Sequence, residues 1–126
     1  MFQEIIKEET AKLAKGKGFD EGCRDLHGTY DDYIGCHHVY NDNGTNNKDQ
    51  FSAPTQDFLA KWLRENHKIH IEPMYDCIQN IYNCHFVVYY QGENNSPRWE
   101  EYTKFYHDNS YENAFEMGLI DGLNLI

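Results

Sequence analysis

Apolar residues recur at helical spacing in two segments of the first half of the chain. The first predicts an amphipathic helix over residues 2–15, which Gly16 and Gly18 would end. The second follows Ser52–Thr55, which offers a hydroxyl cap and a proline suited to a first turn. Its apolar stripe consists of Phe58, Leu59, Trp62 and Leu63. Two helices are therefore predicted before residue 68.

A third helix is predicted at the end of the chain, from Asn109 or Ser110. Asn109 with Glu112 forms a variant of the capping box. The apolar face consists of Ala114, Phe115, Leu119 and Leu123. Gly118 and Gly122 each weaken a helix by about 1 kcal/mol relative to alanine, so we expect a close approach to another element there.

Strand periodicity dominates between the second and third helices. Residues 68–72 alternate strictly, which predicts that Ile69 and Ile71 face a core, and Pro73 either ends this strand or places it on an edge. Residues 80–91 are rich in β-branched and aromatic residues and predict a central strand. Residues 99–106 alternate as well, but aromatic residues occupy both faces.

The remaining segments complete the predicted fold. Residues 24–40 resemble a short hairpin, and residues 41–47 are rich in asparagine and predict a turn. No linker divides the chain, so one domain, 1–126, is expected. The fold class is α+β, with a small antiparallel sheet of three to five strands packed by two or three helices.

Charge narrows the function classes. The chain has 126 residues, 21 of them acidic and 11 basic, and its formal net charge is −10. An acidic surface argues against direct binding to nucleic acid or to an anionic membrane, because both depend on a basic surface. A protein partner with a basic surface is expected instead, and association of the chain with itself is an alternative.

No secretory or membrane-spanning segment is recognisable in the sequence, which predicts a cytoplasmic protein. The N-terminal segment is charged within four residues and forms no apolar signal, and the longest apolar run, 86–90, is far too short to span a membrane. In a reducing compartment the four cysteines are predicted to be free thiols: Cys23, Cys36, Cys77 and Cys84.

Two segments resemble a known group of proteins. Ala53 to Ile71 and the tail Ser110 to Leu123 are similar to segments of short uncharacterised proteins of Bacteroides-type bacteria and of their phages and prophages. The resemblance implies an origin in a mobile element and a place in the bacterial host cytoplasm. It implies no activity and assigns no functional residue.

A cluster of cysteine and histidine residues is the sharpest chemical signal. Cys23, His27, Cys36 and His38 are ligand types of a tetrahedral zinc site and lie within sixteen residues, with His37 beside them. No Cys-x2-Cys knuckle occurs among them. Buried thiols and exposed histidines are the favoured interpretation, no cofactor is expected, and a zinc site is the alternative.

Nucleophilic catalysis is a second use of the same residue types. Cys84 and His85 are neighbours, but adjacent residues of a strand point to opposite faces, which argues against a dyad within the pair. A metal- or cysteine-dependent enzyme built on the cysteine and histidine cluster with His85 is therefore the less favoured hypothesis.

Ten tyrosines are the least expected feature of the composition. Tyrosine contributes large contact area at low entropic cost, which suits protein recognition. The predicted partner-binding residues are Tyr30, Tyr33, Tyr40, Tyr102 and Tyr106. The favoured function is thus a non-enzymatic protein-binding module that modulates a host protein through an acidic, tyrosine-rich surface.

Overall fold

The computed structural model describes residues 5–19, 36–41, 50–91 and 96–126, with the backbone alone for 36–41 and 50–53. The described elements are α1 (Glu8–Gly16), β1 (Cys36–Asn41), β2 (Gln50–Pro54), α2 (Gln56–His67), β3 (Ile69–Asp76), β4 (Ile81–Gln91), β5 (Pro97–Asp108) and α3 (Tyr111–Leu123). One antiparallel sheet pairs β1 with β2, and a second has the order β3-β4-β5. The α+β fold class is confirmed.

The chain divides into two compact units, Met1–Leu59 and Ala60–Ile126. Helix α2 begins in the first unit and ends in the second. The expectation of one domain over 1–126 stays a prediction. None of the described helices has the length and apolar character needed to cross a membrane.

In the first unit, α1 begins at Glu8 and not at residue 2. The Ile6 N–H donates to the Pro54 carbonyl at 3.1 Å, and Ile5 forms an isolated antiparallel bridge with Thr55. Backbone groups held in such a bridge adopt extended geometry, so the helix cannot include them. The predicted start was therefore wrong by about two turns.

The chain leaves α1 at Gly18, one of the two glycines predicted to end this helix. Its φ of +99° is a left-handed conformation that glycine adopts without steric cost. The Phe19 N–H donates to the Ala14 carbonyl at 2.9 Å and the Gly18 N–H to the Lys15 carbonyl at 3.1 Å, which is the Schellman arrangement.

The segment Ser52–Thr55 was predicted to begin α2, but only Thr55 does so. Ser52 and Pro54 belong to β2, which pairs with β1, because long-range pairing outweighs the local signal for a helix start. Thr55 provides the hydroxyl cap, since its Oγ1 accepts a hydrogen bond from the Phe58 N–H at 3.2 Å.

Only part of the predicted hairpin can be compared with the structure. Residues 36–40 lie in β1, but the partner of this strand is β2, beyond the predicted turn. Asn41 was predicted in that turn, and the prediction was wrong there, because Asn41 pairs with Gln50 as the last residue of β1. The rest of the predicted hairpin, residues 24–35, and residues 42–47 of the predicted turn lie outside the described residues.

The sheet of the second unit follows the predicted strands. Ile69 and Ile71 are buried, and β3 continues through Pro73 as an edge strand, which is one of the two predicted outcomes. β4 is the central strand, and its residues Cys84, Phe86 and Val88 are buried on the same face.

α3 packs on this face and contacts all three strands. Its cap is Ser110, not Asn109, because the Ser110 Oγ accepts from the Asn113 N–H at 3.2 Å, while the Asp108 carboxylate accepts from the Ser110 N–H. The predicted apolar face of Ala114, Phe115, Leu119 and Leu123 is buried.

The two glycines of α3 bring the helix close to the sheet, as expected. A Cβ at Gly118 would lie 2.7 Å from the Cys84 Sγ, and one at Gly122 would overlap the Ile71 Cδ1. Both contacts are shorter than van der Waals contact. The two glycines therefore lower the helix propensity of α3, but the absence of their side chains lets the helix pack closely on the sheet.

Candidate binding site

The sheet of the second unit has one face against α3 and one open face. Alternation along β3, β4 and β5 places His70, Val87, Tyr89 and Trp99 on the open face, with His70 opposite Val87 and Tyr89 opposite Trp99. Within the described part of this unit, no helix packs on that face. Its aromatic side chains are well exposed, with Trp99 at 63% and Phe105 at 67%.

A groove of about 360 Å³ runs along one end of this open face. It is lined by Arg64, Lys68, His70, Val87, Tyr89 and Trp99. The floor is formed by aromatic rings and a valine from the sheet. We call these six residues the groove.

Two cations stand at the rim of the groove. Arg64 lies in the last turn of α2, and Lys68 connects α2 to β3 in a left-handed conformation with φ of +58°. The Lys68 carbonyl accepts a hydrogen bond from the Tyr89 N–H at 3.0 Å, which ties this junction to the central strand. Neither Arg64 nor Lys68 forms an ion pair with another residue that the structure describes.

Two histidine–glutamate pairs lie on the same open face, and one of them is at the groove, because it includes His70. The His85 Nε2 lies 2.8 Å from the Glu101 Oε1, a hydrogen-bond distance, and the His70 Nε2 lies 3.6 Å from the Glu72 Oε2. Arg64 and Lys68 thus place two positive charges at the groove, and the nearby carboxylate of Glu72 lies beside His70. An anionic group would be favoured there.

The predicted tyrosines occupy other places. Tyr102 and Tyr106 are half-buried on the α3 side, where Tyr102 stacks on Phe86 with ring centroids 5.2 Å apart and the Tyr106 hydroxyl donates to Asp121. Burial, and next the hydrogen bond to Asp121, raise the pKa of Tyr106 above its usual value. Tyr40 is described by its backbone alone, in β1, and Tyr30 and Tyr33 lie outside the described residues. Their role in partner binding stays a prediction.

The predicted zinc ligands are only partly visible. Cys23 and His27 lie outside the described residues, and Cys36 and His38 are backbone positions of β1, where the register with β2 shifts between them. Among the described residues, no group of three or more cysteine, histidine or acidic side chains could hold a metal ion. The zinc hypothesis stays a prediction.

Cys84 is built into the core. Its thiol is fully buried and donates to the Ala114 carbonyl of α3 at 3.2 Å. Burial, followed by the charge of Asp121, raises the pKa of the Cys84 thiol to about 12. Cys84 and His85 lie on opposite faces of β4, as alternation predicts. At neutral pH Cys84 is therefore a poor nucleophile, because the thiolate is the reactive form.

Alkylation should separate the two described thiols. At pH 8 we expect iodoacetamide to modify the exposed Cys77 within minutes and to leave Cys84 intact in the folded protein. Peptide mapping by mass spectrometry after timed quenching measures both rates, and in denaturant both thiols should react alike. Equal rates in the folded protein would contradict the buried, protonated state of Cys84.

Sequence patterns contained the groove residues without marking them. The alternation of 99–106 placed Trp99 and Phe105 on one face and Tyr102 and Tyr106 on the other. Both faces are aromatic, so the pattern could not show which one α3 covers. The available signal is Pro97, the first residue of β5, since proline in a sheet is confined to edge strands, strand starts and bulges.

The fold and the groove define a small α+β protein with an open sheet face. Comparison of the chain with protein-family models, with curated proteins and with solved structures found no match. The similarity to short proteins of Bacteroides-type bacteria and their phages stays a prediction.

Proposed function

We propose that the protein is a non-enzymatic module that binds a protein partner through the groove and the adjoining open face. The observation that carries this proposal is the exposure of Trp99 at 63% and Tyr89 at 42% beside two cations without described ion-pair partners. Tryptophan, tyrosine and arginine are the residue types that dominate binding energy in protein interfaces.

The chemistry of the groove specifies an anchor on the partner. An apolar or aromatic side chain of the partner would lie on Tyr89, Val87 and Trp99, where it loses contact with water. A neighbouring carboxylate would pair with Arg64, whose guanidinium binds carboxylates through two parallel hydrogen bonds, and with Lys68.

The net charge adds a second, longer-range requirement. A chain of net charge −10 attracts a partner whose surface is basic overall, and such attraction mainly raises the rate of association. The proposed partner thus has a basic surface that carries one apolar and acidic anchor.

The resemblance to phage and prophage proteins suggests where to search. We therefore propose that the partner is a host or phage protein in the cytoplasm of the bacterial host. Binding through the groove and the open face would modulate that protein by covering part of its surface.

Affinity capture with matched variants tests the proposal. The wild-type protein is immobilised and exposed to lysate of a Bacteroides-type bacterium, in parallel with Trp99→Ala and Arg64→Glu. We expect one defined protein to be retained by the wild type, and both variants to weaken its binding by about thirtyfold or more, as loss of a central interface anchor does.

Ile78→Ala is the matched control, because Ile78 is 91% exposed in the turn between β3 and β4 and does not line the groove. It should retain the partner as the wild type does. In a Trp62→Phe background, Trp99 is the remaining tryptophan, and its emission should shift to shorter wavelength on binding. A captured protein that binds Trp99→Ala as tightly as the wild type, or the absence of any specifically retained protein, would refute the proposal.

A further inference from the structure

The outer edge of β5 is a surface distinct from the groove. Among the described residues, β5 pairs with β4 alone and runs for 12 residues. The outer edge of such a strand presents unpaired N–H and carbonyl groups, which can pair with another strand.

The hydrogen-bond pattern identifies the residues that present these groups. The Tyr89 N–H donates to the Lys68 carbonyl, so Tyr89 and every second residue of β4 are bonded to β3. Val88 and Phe86 are then bonded to β5, through their partners Glu100 and Tyr102. The intervening residues of β5 present their backbone groups outward: Trp99, Glu101, Thr103 and Phe105.

Both ends of this outward ladder are limited by local structure. Pro97 lacks an N–H to donate. At the other end β5 has extra residues, because its pairing with β4 jumps from Lys104 to Asp108, and His107 adopts a φ of +55°. The Asn83 Oδ1 accepts from the N–H groups of Tyr106 and His107 at 2.8 and 3.2 Å, which fixes this bulge. The ladder available to another strand therefore spans residues 99–105.

We propose that a second copy of this chain pairs with this edge, β5 antiparallel to β5, with Tyr102 of each copy facing the other across a two-fold axis. Trp99 then lies opposite Phe105, two large aromatic residues that are exposed in the single chain. Glu100 lies opposite Lys104, so two ion pairs form across the axis. The outward groups of Glu101 and Thr103 meet in hydrogen-bonded pairs.

Neighbouring registers are less favourable. The backbone groups that point outward from one β5 must meet those that point outward from the other, so odd-numbered residues must lie opposite odd-numbered ones. The two-fold axis must therefore pass through a residue and not between two residues. An axis at Glu100 places this carboxylate opposite its own copy, and an axis at Glu101 places Arg98 opposite Lys104. An axis at Thr103 extends the ladder into the bulge at His107. Only the register centred on Tyr102 combines opposite charges with aromatic pairs, and in it Pro97 meets His107, so both ends stop together.

Such a pair forms one continuous six-stranded sheet. The two-fold axis is perpendicular to the sheet, so the open faces of both copies lie on the same side. The assembly would present two grooves to the same partner surface, which increases apparent affinity without any new contact. Dimerisation itself does not depend on the function proposed for the groove.

Charge-reversal variants test the register by sedimentation equilibrium on the full chain. We expect the wild type to dimerise, and Glu100→Lys and Lys104→Glu each to weaken the dimer by about tenfold, because each places like charges opposite each other twice. An equimolar mixture of the two variants should recover wild-type affinity, since both cross-axis pairs are then of opposite charge. The double variant should recover it as well.

Amide hydrogen exchange provides the second measurement. Dimerisation should slow exchange at Trp99, Glu101, Thr103 and Phe105, and should leave Glu100 and Tyr102 unchanged, because their groups are bonded to β4 in both states. A monomeric wild type at every soluble concentration would overturn the proposal. A dimer that both single variants leave intact, or one that protects none of the outward amides, would overturn it too.

Discussion

Replacing Gly118 with valine is expected to lower the free energy of unfolding by about 3 kcal/mol. A Cβ at this position would lie 2.7 Å from the Cys84 Sγ, 3.0 Å from the Ile71 Cγ2 and 3.3 Å from the Cys84 Cβ. The Cys84 sulfur cannot move away easily, because its thiol is held by the Ala114 carbonyl. The helix must therefore shift from the sheet, which opens the core. Urea denaturation followed by circular dichroism measures the loss.

Asn113→Val is the matched control for this change. Asn113 is exposed in the first turn of the same helix, and its helix propensity is close to that of valine, so its replacement should change stability by less than about 0.5 kcal/mol.

A double-mutant cycle locates the clash. Gly118→Ala and Cys84→Ala should each destabilise the protein, but the double variant should be more stable than the sum of the two losses implies, by about 1 kcal/mol. Removal of the sulfur makes room for the new methyl group. Additive losses, or a Gly118→Val protein as stable as the wild type, would contradict the close approach of α3 to β4.

Alkaline pH is expected to destabilise the protein in two successive steps. The pKa of Cys84 is raised from 9.0 to about 12 in the folded protein, and the pKa of Tyr106 is raised above its ordinary value of 10. Above pH 9 the unfolded chain loses the Cys84 proton while the folded chain retains it. The free energy of unfolding therefore falls with pH, by up to about 1.4 kcal/mol per pH unit from this thiol, until the pH passes its folded pKa. Tyr106 adds its loss above pH 10.

Variants assign each step to one residue. Urea midpoints measured from pH 8 to pH 11 should decline less steeply between pH 9 and 10 in Cys84→Ala, and less steeply above pH 10 in Tyr106→Phe. Cys77→Ala should follow the wild type, because Cys77 is exposed. A wild-type slope in Cys84→Ala would show that burial of this thiol does not govern the alkaline transition.

The two effects have a common origin in the packing of α3 on the sheet. Gly118 allows the helix to approach Cys84 closely, and the same approach removes the thiol from water and raises its pKa. Tyr106 ties β5 to α3 through Asp121 on the same face. This side of the sheet therefore contributes to stability, whereas the binding that we propose uses the side that α3 leaves open.

Local patterns predicted most of the second unit. The alternation of Ile69 and Ile71, the aromatic and β-branched run of β4 and the apolar face of α3 each report burial on one face, and burial is what periodicity records. The spacing of Gly118 and Gly122 predicted a close contact but not its partner. These features depend on residues that are close in sequence, so the sequence predicts them without knowledge of the fold.

Other features depended on residues far apart in the chain. Ile5 and Ile6 continue a helical pattern, yet they bond to the end of β2, and Ser52 and Pro54 read as a helix start although they pair with β1. A local propensity of a few tenths of a kcal/mol per residue does not prevail against backbone pairing with a distant strand. For the same reason, local patterns could not show which aromatic residues of β5 are covered by α3.

The sequence by itself determined the α+β class, the acidic charge, the strands of the main sheet and the helix that ends the chain, because each depends on composition or on short-range periodicity. Tertiary structure decided which face of β5 is open. Packing of α3 covered Tyr102 and Tyr106 and left Trp99 and Phe105 exposed, and the end of α2 brought Arg64 and Lys68 to the same place. A surface is what remains after the core has formed, so its composition is known only once the packing of the helices on the sheet is known.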